Sequence, residues 1–174
     1  MVITSDKFLI DANTLMTAAR LYYAYDLAPS FWEAFGEKIE EGNIILFDMV
    51  KNEIDKGQDE LKEWVDERQG DFKICNHVDS EIIPQYAKVM QYIQECGFYN
   101  EKGLSSWAKD DVADPWLIAT AAAKDYCLIT FEQSAGSLST KNKSGKVKIP
   151  DVASHFGVKV HTLYYMMRQL GIKI

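Results

Sequence analysis

The chain has 174 residues, 47% of them hydrophobic and 26% charged, the balance of an ordinary globular protein able to bury a core without disulfide or metal staples. Its apolar runs fall far short of a bilayer span, which excludes a helical membrane protein. The formal charge of −7 argues against a nucleic-acid binder that works through a basic surface. It leaves room for a metal-dependent nuclease, because acidic ligands contribute to the deficit and two divalent ions would restore about four positive charges.

In chain order, the opening MVITSDKFLIDAN does not read as a secretory leader, since Asp6 and Asp11 bracket a short apolar run. The three cysteines (Cys75, Cys96, Cys127) stand singly, so reduced thiols in a cytoplasmic protein are expected. Residues 7–10 (KFLI) read as a buried strand ending on Asp11-Ala12-Asn13. Thr14 to Arg20 reads as helix, interrupted by LYYAYDLAPS. The next helix, Phe31 to Glu41, opens at Pro29 or Ser30 and stops at Gly42-Asn43. Ile44 to Phe47 is a second buried strand, after which Asp48 is placed to cap a helix through Val50, Glu53 and Ile54 that Gly57 breaks. Asp59 to Arg68 puts Leu61, Trp64 and Val65 on one helical face.

Phe72 to Cys75 reads as a short edge strand. Ser80 to Cys96 is a long helix, with Ile82, Tyr86, Val89, Ile93 and Cys96 at three- and four-residue spacing. Residues 98–112 read as a loop. Asp114-Pro115 marks a helix start, Asp114 as N-cap and Pro115 at the first helical position. The Ala-rich helix that follows runs to Lys124 or Asp125. Tyr126 to Thr130 is a third buried strand and residues 133–146 a polar loop. Val147 to Ile149 reads as a fourth strand, Asp151 to Phe156 as a short helix, Val158 to Val160 as a short strand and Thr162 to Leu170 as a final helix. Alternating strands and helices predict an α/β chain, a three-layer α/β/α sandwich around a central, mainly parallel sheet.

Sites in such sheets form beyond the carboxyl ends of the strands, where Asp11, Asp48, Thr130 and Glu132 fall. Four acids carry the candidate chemistry: Asp11, Glu53, Asp114 and Glu132. Mg²⁺ and Mn²⁺ take hard oxygen ligands, and His77, His155 and His161 lack zinc spacing. Phosphodiester hydrolysis needs an activated water and a stabilised leaving oxygen, both of which divalent ions supply.

Each residue also has a plainer role. Asp11 and Asp114 sit where helix caps belong, and Glu53 alone reads as a solvated helix residue. Asp110 and Asp111 read as a solvated loop pair, though they are alternative ligands. Tyr22, Tyr23 and Tyr25 fit base stacking, and equally core packing or a partner surface. Lys141, Lys143, Lys146 and Lys148 either touch RNA phosphates or are simply solvated.

The order FLIDAN, FDMVKNEI, ADPWLIATAAA, LITFE resembles the PIN-domain ribonucleases, and most of all a toxin-type branch among bacterial and archaeal PIN-like proteins. The resemblance spans about residues 7–160. It implies one PIN-like domain over residues 1–174 with a helical elaboration at about 57–110. It also implies catalytic and metal-holding roles for Asp11, Glu53, Asp114 and Glu132, and supporting hydrogen-bond groups at Asn13 and Thr130. One or two Mg²⁺ or Mn²⁺ ions, an RNA substrate and an antitoxin partner follow from it, and a homodimer is compatible with it. The fourth acid departs from the family pattern: Thr130-Phe131-Glu132 has Glu where Asp is usual.

The resulting expectation is a metal-dependent endoribonuclease, the toxin of a toxin–antitoxin pair. Two alternatives stand beside it. One is a non-catalytic PIN-like binding or scaffold protein. The other is a phosphatase of the haloacid-dehalogenase type, from the loose likeness of Asp11-Ala12-Asn13-Thr14 to its D-x-D-x-T loop; there Asn13 replaces the required second Asp.

Overall fold

A computed structural model describes residues 6–174; residues 1–5, part of the stretch read for a leader, lie outside the described residues. Among the described residues, five short strands form one sheet in the order β3-β2-β1-β4-β5. They are β1 (Phe8–Ile10), β2 (Ile44–Phe47), β3 (Ile74–Cys75), β4 (Cys127–Ile129) and β5 (Val160–His161). Every pairing is parallel, with Leu9 opposite Ile45 on one side and Leu128 on the other. β1 and β4 are buried throughout, as continuous apolar strands at the centre of a parallel sheet must be. Among the described residues no helix is long and apolar enough to cross a membrane.

From β1 the chain steps to β2 and β3, then returns to β4 on the other side of β1 and moves on to β5. Right-handed crossovers place the helices of the first run on one face and those of the second on the other. The first set comprises α1 (Ala12–Thr17), α2 (Pro29–Glu40), α3 (Asp48–Asp55) and α4 (Glu60–Glu67). The second comprises α5 (Ile82–Glu95), α6 (Glu101–Trp107), α7 (Asp114–Lys124) and α8 (Ile149–His155), with α9 (Leu163–Leu170) closing the chain. The expected three-layer sandwich is present. Its switch point, where a cleft opens beyond the strand ends, lies between β1 and β4.

Four local expectations are corrected. The first helix does not end near Arg20 but widens into a π-helical turn over Ala18–Tyr22, closed by Tyr23 N donating to Ala18 O. Residues 98–112 are not all loop: α6 starts behind Asn100, whose side chain accepts from Gly103 N at 3.2 Å. A Cβ at Gly103 would stand 3.0 Å from the Ser144 carbonyl oxygen, so this helix needs glycine to approach the neighbouring loop. Val147 to Ile149 is not a strand, because α8 already begins at Ile149. The Ile149 amide donates to Glu132 and Pro150 has no amide to give. Asp48 is the first residue of α3 rather than its cap.

Candidate active site

Asp11 follows β1 at the switch point and is 3% exposed. It is the N-cap of α1, its Oδ1 accepting from the Asn13 amide at 3.2 Å. Its Oδ2 accepts from the Thr130 hydroxyl at 3.2 Å and the Thr14 hydroxyl at 3.4 Å. Capping and a place at the sheet rim therefore coexist at one residue. Asn13 supports Asp11 through its backbone amide, and its side chain is exposed. Thr14, which the sequence reading did not single out, also accepts from Phe131 N at 3.0 Å and so ties α1 to the end of β4. Its only signal in the sequence is its place three residues after a capping Asp, where a hydroxyl faces back to the cap.

Asp114 opens α7 as its first residue, with Ala113 as N-cap and Pro115 second, one position on from the expected capping role. The reason lies sixty residues upstream: the Glu53 carboxylate, on α3, accepts from the Ala113 amide at 3.4 Å. That bond brings α3 to the start of α7 and sets Glu53 beside Asp114. The Asp114 carboxylate itself accepts no hydrogen bond from the described residues.

Glu132, two residues beyond Thr130, donates its own amide to the Thr130 hydroxyl at 3.0 Å. Its Oε1 accepts from the Lys148 ammonium at 2.8 Å and its Oε2 from the Ile149 amide at 2.9 Å. Thr130 thus links Asp11 to the Glu132 backbone, and Glu53 and Asp114 lie within electrostatic reach of them, while the carboxylates differ in how far protein donors occupy them.

Electrostatics records the crowding. Burial pushes the Asp114 carboxyl up to about 7, helped by the negative charges of Asp11, Glu132 and Glu53 and opposed by Lys148. Burial likewise raises Asp11 to about 6 against the pull of its Asn13 and Thr130 hydrogen bonds, with Glu132 and Glu53 adding to the rise. Glu53 is also raised, first by burial, while the Ala113 amide and Lys56 pull it down.

The donor set fits a hard divalent cation: carboxylates only, mutually repelling, one of them with no hydrogen-bond donor among the described residues. In the rotamers present, no three His, Cys, Asp or Glu side chains among the described residues close around one point. A cation would have to draw Asp11, Glu53 and Asp114 together by side-chain rotation.

The other candidates separate from this group. Asp48 is held by His77, whose amide reaches both carboxylate oxygens at 3.2 Å and whose Nδ1 lies 2.6 Å from Oδ2; it braces α3 against the segment after β3. Asp111 pairs with exposed Lys56 at 2.9 Å. Tyr23 is stacked on Phe31 and Tyr25 on Trp32, so both are packing residues. Tyr22 is half exposed and lies edge-on to Phe131 and Tyr164, beside Thr130. Lys141, Lys143 and Lys146 are in or next to the polar loop, and Lys148 alone among the four lysines reaches the acids. The three cysteines are free thiols.

A family profile described as "Domain of unknown function (DUF4411)" matches residues 8–174. The chain belongs to this family. A comparison with curated proteins finds no match. Among solved structures, a chain in the crystal structure of VapBC2 from Rickettsia felis, bound to a DNA fragment from its promoter, superposes with a TM-score of 0.53. The identity is 9%, over 89% of this DUF4411 chain and 97% of that one. So low an identity speaks to fold, and together with the five-stranded parallel sheet it makes the fold PIN-like.

Proposed function

We propose that this DUF4411 chain is a metal-dependent endoribonuclease and the toxin of a toxin–antitoxin pair. Asp11, Glu53 and Asp114 hold Mg²⁺ or Mn²⁺, and Glu132 and Thr130 complete the site. A bound divalent ion supplies an activated water and stabilises the leaving oxygen. The chain's own residues orient the acids: Thr130 and Thr14 fix Asp11, and the Ala113 amide fixes Glu53.

The observation that carries this reading is Asp114, a carboxylate driven up to about 7 by burial and by three neighbouring acids, with no donor on it among the described residues. A structure that brings acids together and leaves one without a partner favours a cation there. Beside it, the exposed face of Tyr22 with Phe131 and Tyr164 offers single-stranded RNA an aromatic surface for its bases. The fold neighbour occurs in the VapBC2 assembly on promoter DNA, which supports an antitoxin-like protein partner here. We propose further that residues 1–174 act as one PIN-like domain, with about 57–110 as its helical elaboration, and that the protein works in the cytoplasm.

The test is cleavage of a single-stranded RNA by the purified full chain in Mn²⁺. Cleavage is expected to fall at least about 100-fold in Asp11→Asn and Asp114→Asn, the scale of losing a metal-held transition-state contact. Undiminished cleavage in excess chelator sinks the reading. A folded wild-type chain that binds no Mn²⁺ by calorimetry favours a non-catalytic binding protein instead.

A further inference from the structure

Lys148 stands where no lysine belongs on helix-forming grounds. It is the N-cap residue of α8, with extended backbone. N-caps favour side chains that accept hydrogen bonds, and an ammonium only donates. A cation there also opposes the helix dipole. The missing acceptor comes from Glu132, whose Oε2 takes the Ile149 amide at 2.9 Å while its Oε1 holds the Lys148 ammonium at 2.8 Å. Both oxygens of the fourth acid therefore already carry protein donors, unlike those of Asp114. The Glu132 amide in turn donates to the Thr130 hydroxyl, which donates to Asp11. The ammonium is thus tied by a continuous chain of bonds to the acid at the switch point. The ion pair is only partly exposed, 32% for Lys148 and 22% for Glu132. The extra methylene of Glu over Asp lengthens the reach from the end of β4 to α8.

An incoming phosphodiester meets four carboxylates here and needs positive charge beyond that of one divalent ion. We infer that Glu132 is the positioning residue for Lys148, and that the Lys148 ammonium meets the RNA phosphate, supplying positive charge that a second divalent ion would otherwise have to bring. The inference rests on the nuclease reading above and assigns this site one ion per chain.

The test uses the full chain and two binding measurements. Titration calorimetry with Mn²⁺ counts ions. Fluorescence anisotropy with a labelled single-stranded RNA in Ca²⁺, checked afterwards for intact oligonucleotide, reads phosphate contact. Wild type is expected to take one Mn²⁺, and Glu132→Gln to keep that stoichiometry. Lys148→Met is expected to keep the metal and lose roughly tenfold in RNA affinity, the scale of one charge-assisted contact, with a salt slope lower by about one. Lys148→Arg should retain most of the affinity.

The deciding sign is that of Glu132→Gln. Removing a negative charge strengthens RNA binding if the residue acts only as charge, and weakens it if the residue positions Lys148. Two Mn²⁺ per chain with one lost in Glu132→Gln overturns the inference and leaves the nuclease reading standing. So does unchanged RNA affinity in Lys148→Met, or tighter RNA binding by Glu132→Gln. A wild-type chain that binds neither Mn²⁺ nor RNA overturns both.

Discussion

The starts of α7 and α8 are built alike and used differently. Each opens with a residue followed by proline at the second position, Asp114-Pro115 and Ile149-Pro150. Each receives a carboxylate from a distant element onto a backbone amide: Glu53 onto Ala113 and Glu132 onto Ile149. At α7 a further acid, Asp114, is left among like charges with no hydrogen bond from the described residues. At α8 the position before the helix is a lysine, and the arriving acid is bound on both oxygens. An acid at a helix start is thus no sign of function by itself; what separates the two is whether its lone pairs already have protein partners.

The largest test of this difference is stability without metal. Asp114 is raised to about 7 and Asp11 to about 6, so the folded state binds more protons than the unfolded chain between about pH 4 and 7. Stability therefore falls as pH rises through that window. Asp114→Asn removes the most strongly raised acid. It is expected to stabilise the metal-free protein at pH 8 by on the order of 1–3 kcal/mol and to change little at pH 4.5. Urea melts at the two pH values check this. A variant destabilised at pH 8 would mean that Asp114 has a protein partner after all.

Metal reads the same strain from the other side. Ligand carboxylates must be deprotonated to bind, so Mg²⁺ competes with protons at Asp11 and Asp114. Its stabilisation of the fold should be clear at pH 8 and nearly absent at pH 5. Thermal melts with and without millimolar Mg²⁺ measure the difference, and an equal shift at both pH values would place the ion elsewhere.

The same contrast explains what was legible in the sequence. β1, β2 and β4 are apolar runs closed by acids or threonine, and α5 declares itself by its spacing, so local pattern suffices for them. The ordered acids Asp11, Glu53, Asp114 and Glu132, with Thr130, also stand out by sequence, and the structure sets the acids within electrostatic reach of one another. What the sequence hid were the distant partners. Ile149 was expected in a strand because nothing nearby shows that its amide belongs to Glu132. Asp114 was expected as a cap because nothing nearby shows that Glu53 holds Ala113. The α6 segment, with Gly103, Ser105 and Ser106, has weak helix propensity and depends on the Asn100 cap and the close approach to Ser144.

At α8 the expected stability effects are smaller and of the opposite sign. Glu132→Gln loses charge-assisted bonds to Lys148 and Ile149, at a cost of about 1 kcal/mol. It also relieves repulsion on Asp11 and Asp114, a gain present only where those two are ionised. The net cost should therefore be greater at pH 5 than at pH 8, the same direction with pH as for Asp114→Asn, but at pH 8 the sign differs: Glu132→Gln costs stability where Asp114→Asn adds it. Melts of both variants across that range separate a helix-holding acid from an unpartnered one.

The smallest effect should come from Lys148→Met. The ion pair to Glu132 is partly solvated, and such pairs contribute only about 0–1 kcal/mol. Methionine keeps most of the aliphatic stem, and a cation before a helix start contributes nothing favourable to the helix. The variant should lie within about 0.5 kcal/mol of wild type, while Glu132→Gln, which weakens the acceptor for the Ile149 amide, costs more. If Lys148→Met proved the more destabilising of the two, the ammonium would be a structural part of the α8 start rather than a group held ready for RNA.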